Sequence, residues 1–239
     1  MEPQIIIPKF EGEHNLRADS LARLQTGKIY QDLSTVIVCP TRGMITAKVV
    51  QSWMGLIRPM NQKVLGPIFI VGMEVGDAYE AAMEMILSNP ELSKWKYVLT
   101  IEEDNLPQPD GLLKLYENID KYDALGGLYW TKGEGGQPMI YGDPSDPELN
   151  FRPQPPNLDI QPCNGLGMGF TLFKLDLFKD PKIEKPWFKT CGEWDPQKGA
   201  KVYTQDLYFF EKIRKLGYKV ACDTRVKVGH YSVEQDVVW

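Results

Sequence analysis

The chain has 239 residues, 43% of them hydrophobic and 11% aromatic, which is enough to bury a core without staples and too much for a mainly disordered chain. Its 32 acidic and 27 basic side chains leave a net charge of −5, an argument against general nucleic-acid binding, since phosphate backbones want a basic field. No window approaches the roughly 18 apolar residues of a membrane helix, and residues 1–8 lack the basic and apolar parts of a signal peptide, so a cytoplasmic protein without a membrane span is expected.

Residues 1–34 have mixed charge and weak periodicity and read as an N-terminal extension with a short helix near 20–24. Thr35, Val36, Ile37, Val38 and Cys39 form a β-branched run suited to a strand buried on both faces, closed by the turn sequence Pro40-Thr41-Arg42-Gly43. A helix follows over 47–56, then a second buried strand over 68–71. Asp77 is placed to cap a helix through Ala81, Ala82, Met85 and Ile86. A third strand, 97–101, runs into Glu102-Glu103-Asp104-Asn105, and Asp110 is placed to cap a helix through Leu112, Leu113, Leu115 and Tyr116. Another strand follows at 124–129. Strands alternating with helices in this way predict an α/β fold of βαβ units with a mainly parallel, Rossmann-like sheet flanked by helices. Ligands bind such sheets beyond the carboxyl ends of the strands, where the turn after Cys39 and the acids after Ile101 both fall.

From 131 to 162 prolines and glycines are interleaved, and we read a single domain with a Pro/Gly-rich insertion carrying hairpin pieces near the active site. A strand at 169–173, an amphipathic helix at 204–216 stopped by Gly217, and strands at 218–222 and 226–228 complete the pattern. Residues 231–239 read as a C-terminal tail.

The four cysteines are far apart with no Cys-x-x-Cys pair, so they read as reduced thiols and a zinc site is unsupported. The acids at 102–104 are the sharpest chemical feature. In an extended backbone Glu102 and Asp104 point to the same side, and hard oxygen donors there suit Mg²⁺ or Mn²⁺; the plainer reading is a solvated acidic turn. His230, one of only two histidines, follows an apolar strand that could deliver it to the same edge, although such a histidine is more often structural. Asp206 opens a helix, where it either caps the first turn or acts as a general base. The run Cys163-Asn164-Gly165-Leu166-Gly167-Met168-Gly169-Phe170 enters a strand, whereas a dinucleotide fingerprint leaves a strand for a helix, so a dehydrogenase is rejected. Its glycines are expected to let backbone amides approach a ligand. No P-loop motif occurs. Trp187 and Trp194 read first as core or loop anchors and second as stacking faces for a sugar or base. The basic residues from Lys212 to Lys227 read as a solvated face.

Together these pieces resemble the GT-A glycosyltransferases of the family 2 type, from about Thr35 to His230. The first strand with Pro40-Thr41-Arg42-Gly43, the helix start at Gly76-Asp77, the acidic strand end Glu102-Glu103-Asp104, the glycine-rich strand at 167–173, the helix start Thr204-Gln205-Asp206 and the late Val228-Gly229-His230 carry the likeness in family order. Glu102 departs from the aspartate usual there. The resemblance implies a domain over 35–230 and donor contacts from Pro40, Thr41, Arg42, Asp77, Glu102 and Glu103. It implies an acceptor side formed by Asn164, Gly165, Gly167, Met168 and Trp187, a Mn²⁺ or Mg²⁺ cofactor on Asp104 and His230, and Asp206 as base of an inverting transfer. The donor is then a nucleotide sugar, UDP by default, and the acceptor a glycan, small molecule, protein or hydroxylated nucleobase. A sugar-phosphate nucleotidyltransferase and a catalytically inactive sugar-nucleotide or glycan-binding module are the alternatives.

Overall fold

The structure, a computed structural model, describes residues 4–6, 31–195 and 199–239, so the helix expected near 20–24 lies outside the described residues. Its elements are β1 (Gln4–Ile6), β2 (Thr35–Thr41), α1 (Ala47–Met54), β3 (Val64–Val71), α2 (Val75–Ser88), β4 (Tyr97–Ile101), β5 (Asn105–Pro107), α3 (Gly111–Asn118) and β6 (Ala124–Leu128). There follow β7 (Ile140–Tyr141), β8 (Ile160–Cys163), β9 (Gly165–Leu166), β10 (Phe170–Lys174), β11 (Cys191–Asp195), β12 (Gly199–Tyr203), α4 (Gln205–Lys215), β13 (Val220–Ser232) and β14 (Val237–Val238).

The expected α/β architecture is present: a mostly parallel, Rossmann-like sheet with helices packed against it. Its strands run in the order β1-β3-β2-β4-β10-β6-β13-β14, with β5 and β8 also paired to β13. β2 pairs in parallel with both β3 and β4, and β6 in parallel with β13. β10 is inserted between β4 and β6 and is antiparallel to both.

β2 shows how the sequence builds two layers. Alternate side chains of a strand point to opposite faces. Val36 and Val38 therefore join one apolar cluster with Tyr79, Ala82, Met83 and Ile86 of α2 and Phe209, Phe210 and Ile213 of α4. Ile37 and Cys39 join the other, with Leu112, Leu115 and Tyr116 of α3. Burial on both faces is why β2 and β4 lack polar alternation.

Several local expectations are corrected. The N-cap of α2 is Glu74 and not Asp77: Glu74 Oε2 accepts from the backbone N–H of Gly76 at 2.7 Å and of Asp77 at 3.2 Å, and Asp77 lies in the first turn. Asp110 holds the N-cap position of α3 but caps nothing with its side chain, which pairs with Lys114 at 2.9 Å. The strands expected at 218–222 and 226–228 are one strand, β13, with a register shift between Asp223 and Lys227 against β6. The tail folds back, with β14 pairing to Tyr231 and Ser232 and the backbone of Trp239 exchanging two hydrogen bonds with His230. Residues 131–162 pair mostly with their flanks: β7 pairs with β9 beyond the segment and Pro138 bridges to Trp130 before it, while Tyr141 bridges to Pro153 inside it. Among the described residues no helix is long and apolar enough to cross a membrane.

Candidate active site

β4 ends at Ile101, and the chain turns at once, the Asn105 N–H donating to the Glu102 carbonyl at 3.0 Å. The three acids therefore sit on a turn and not on extended strand, and they take three directions. Glu103 goes back to the end of β2. Its Oε2 accepts from Thr41 Oγ1 at 2.6 Å and from the Arg42 N–H at 2.9 Å, and its Oε1 from Arg42 Nε at 2.6 Å. Glu103 thus clamps the turn after β2, with its oxygens already engaged, while the Arg42 side chain is 89% exposed.

Glu102 turns inward and accepts from the Tyr79 hydroxyl at 3.1 Å. Burial, with the charges of Asp104 and Asp206, pushes its carboxyl up to about 7 against the opposing pull of Tyr79 and His230. That balance also shows Asp104, Asp206 and His230 gathered within electrostatic reach of one carboxyl group.

Asp104 meets the other end of the molecule. Its Oδ2 lies 3.5 Å from His230 Nε2 and accepts from Lys132 Nζ at 2.5 Å. β13 brings His230 there, since His230 stands opposite Asn105 in the β13–β5 register and the Tyr231 N–H donates to the Asp104 carbonyl at 2.7 Å. Burial alone would raise Asp104, but hydrogen bonds and charge from His230 and Lys132 outweigh it and hold the carboxyl below the usual range.

The orientation of His230 is set from behind. Nδ1 lies 2.8 Å from the Trp130 carbonyl oxygen. A carbonyl only accepts, so Nδ1 carries a hydrogen toward Trp130 and Nε2 is the ring atom left facing Asp104. A backbone carbonyl fixing the far nitrogen is the usual support of a metal-binding histidine. Among the described residues no group of three or more His, Cys, Asp or Glu side chains is placed to hold a metal ion. A carboxylate and an imidazole are nonetheless a donor pair that suits a hard divalent cation whose remaining positions are filled by water.

Asp206 is 6% exposed in the first turn of α4. Its Oδ1 accepts from Thr204 Oγ1 and from the Leu207 N–H, the latter at 2.8 Å. Burial raises its carboxyl despite those bonds, and its charge reaches Glu102, Tyr129 and Tyr141.

The glycine-rich run serves the protein's own packing. A Cβ on Gly167 would meet the Tyr129 hydroxyl at 2.0 Å, and one on Gly169 would meet Asn105 Oδ1 at 2.4 Å. The Gly169 N–H donates to the Tyr129 hydroxyl at 2.8 Å. Gly165 lies against Phe151 and Leu207, and Met168 is 1% exposed. Asn164 is buried and fully engaged, donating to the Asn150 carbonyl at 3.0 Å and accepting from Arg214 Nε at 3.1 Å. Trp187 is buried against Phe178 and donates its indole N–H to the Ile183 carbonyl at 3.1 Å, the anchor role of the two the sequence allowed. Pro40 and Thr41 belong to β2, so the turn begins at Arg42, and Asp77 lies in the first turn of α2 at the same sheet edge.

The sheet has a solved counterpart. The crystal structure of A197 from STIV superposes with a TM-score of 0.60 at 18% identity, covering 86% of this chain and 92% of that one. S. aureus TarS 1-349 gives 0.44 at 15% identity, covering 79% of this chain and 57% of that one, and its complex with UDP-GlcNAc gives 0.43 at 12% identity, covering 79% and 55%. The first establishes the fold. No protein-family model matches the sequence, and no curated protein matches it.

Sequence reading missed Lys132, Tyr79 and Trp130. Lys132 follows β6 at the ligand-binding edge of the sheet, and that position was the available signal. Tyr79 lies one turn into α2 within an apolar stripe and carries no mark distinguishing it from core.

Proposed function

We propose that this protein is a GT-A-type glycosyltransferase that moves a sugar from a nucleotide-diphosphate sugar, UDP by default, to an acceptor hydroxyl with inversion. The observation that carries the reading is the meeting of Asp104 and His230 at the carboxyl edge of a Rossmann-like sheet, with a buried Asp206 whose charge reaches the neighbouring Glu102. The family-like order of the six motifs supports it.

In this reading the turn after β2, held by Glu103, presents Thr41 and the exposed cation of Arg42 to the donor diphosphate. Asp104 and His230 would hold Mn²⁺ or Mg²⁺, which supplies positive charge for the departing diphosphate. Asp206 takes the proton of the acceptor hydroxyl as its oxygen bonds the anomeric carbon and the bond from that carbon to the diphosphate oxygen breaks. Thr204 and Leu207 fix Oδ1 and so orient the carboxylate, and burial raises its proton affinity, as a base working near neutrality requires.

The test is thermal unfolding with a panel of nucleotide sugars, each with and without Mn²⁺. One donor is expected to stabilise the protein in a metal-dependent way. Asp206→Asn should keep that stabilisation and lose transfer by about 10²–10⁴-fold. Failure of every nucleotide sugar to bind would remove the proposal, and near-normal transfer by Asp206→Asn would remove the role of Asp206.

A further inference from the structure

Lys132 lies outside the set of residues that the motifs point to, yet its ammonium sits on the central carboxylate. Asp104 Oδ2 faces two nitrogens, Lys132 Nζ at 2.5 Å and His230 Nε2 at 3.5 Å. Asp104 and His230 are half-buried, their side chains 23% and 16% exposed, while Lys132 reaches Asp104 from the surface with its side chain 34% exposed. The contact is therefore sheltered from solvent on its Asp104 side and open on its Lys132 side.

The backbone around Lys132 is built to deliver it. Trp130, two residues before it, lies in the bridge to Pro138 and offers its carbonyl to His230. The Thr131 N–H donates to the Gln137 carbonyl at 2.9 Å, and the Gln137 N–H to Thr131 Oγ1 at 2.8 Å, so the loop closes one residue before Lys132. Beyond it, Gly133 and Gly135 take left-handed φ values of 103° and 73°, and a Cβ at either would meet no atom within 4 Å. The tip of the loop thus stands clear of the protein body, while its base is tied to the residue that orients His230.

A monocation on Asp104 Oδ2 and a divalent cation on the same oxygen repel each other, so the two occupancies exclude one another. We propose that Lys132 is a tethered counter-ion that holds Asp104 in the free protein and yields it to a divalent cation. This rests on Asp104 and His230 as the cation-binding pair of the proposed function, but not on any sugar donor. Lys132 keeps a half-buried carboxylate paired when no metal ion is bound, and a metal ion must displace it.

The experiment is titration of the full-length protein with Mn²⁺ alone, reading free Mn²⁺ by electron paramagnetic resonance, without any nucleotide. Lys132→Ala and Lys132→Gln are expected to bind Mn²⁺ severalfold, up to about tenfold, more tightly than the unaltered chain. Lys132→Arg, which keeps the charge, should bind as the unaltered chain does, and Asp104→Asn should abolish the gain in the Lys132→Ala background. Thermal unfolding checks that each variant is folded. Equal or weaker Mn²⁺ binding by both uncharged variants overturns the proposal, as does absence of binding in every protein. Because no nucleotide is present, the result is independent of whether a nucleotide sugar is the donor.

Discussion

The Glu102 carboxyl stands at about 7, well above the usual carboxylate value, so its ionisation opposes folding. Below the unfolded value both states hold the proton and the group has no effect. As pH rises the unfolded chain ionises first, and stability falls until the folded carboxyl also ionises near 7. Glu102→Gln removes that loss. The variant should match the unaltered protein near pH 4 and exceed it above pH 7 by up to roughly 3 kcal/mol, measured by urea unfolding across pH. A constant difference at all pH values would refute the assignment. Adjacency of the three acids was legible in the sequence, as was the destination of Asp104. Their divergence was not, because it depends on the chain turning at Glu102 and on Thr41, Tyr79 and His230 arriving from three other elements.

At the scale of elements, the segment around β9 is held by close packing. Gly167 lies so near Tyr129 that a single methyl group meets the hydroxyl at 2.0 Å and the ring carbon behind it at 2.8 Å. Gly167→Ala should cost about 1–3 kcal/mol in denaturant unfolding. Tyr129→Phe in the same chain should recover only part of this, since the ring remains. Full tolerance of the alanine would mean that the segment is looser than its geometry. A glycine cluster signals close approach, but one sequence does not say whether the approaching group is a ligand or the protein's own tyrosine. The start of α2 shows a similar limit. Glu74 and Asp77 are both acids near the first turn, and only the backbone geometry selects Glu74 as the cap. Strands β2 and β4 were legible because burial on both faces leaves an unbroken apolar run.

For the whole molecule, the aromatic seam between α4 and the sheet joins the parts of the site. Phe209 stacks on Phe178 with centroids 5.1 Å apart and also meets Phe173, Phe188 and Phe210. It lies three residues beyond Asp206 on the same helix, so the packing that stabilises the core also sets the position of that carboxylate. Phe209→Ala is expected to lower stability by about 3–5 kcal/mol in denaturant unfolding. An effect below about 1 kcal/mol would show that the seam is not the anchor of α4. Fold class followed from the alternation of strands and helices, whereas strand order did not, because nothing local in Phe170–Lys174 states that it will run antiparallel at the centre of the sheet.

That central placement has a consequence during synthesis. β4 and β6 are both complete before β10 exists, and β10 is what joins them. A nascent chain that has cleared the ribosome only as far as β9 presents the bare backbone of two apolar strands, the condition in which polypeptides most readily pair with one another. The arrival of the five residues of β10 joins the two strands, and α4 and β13 then close the core that remains.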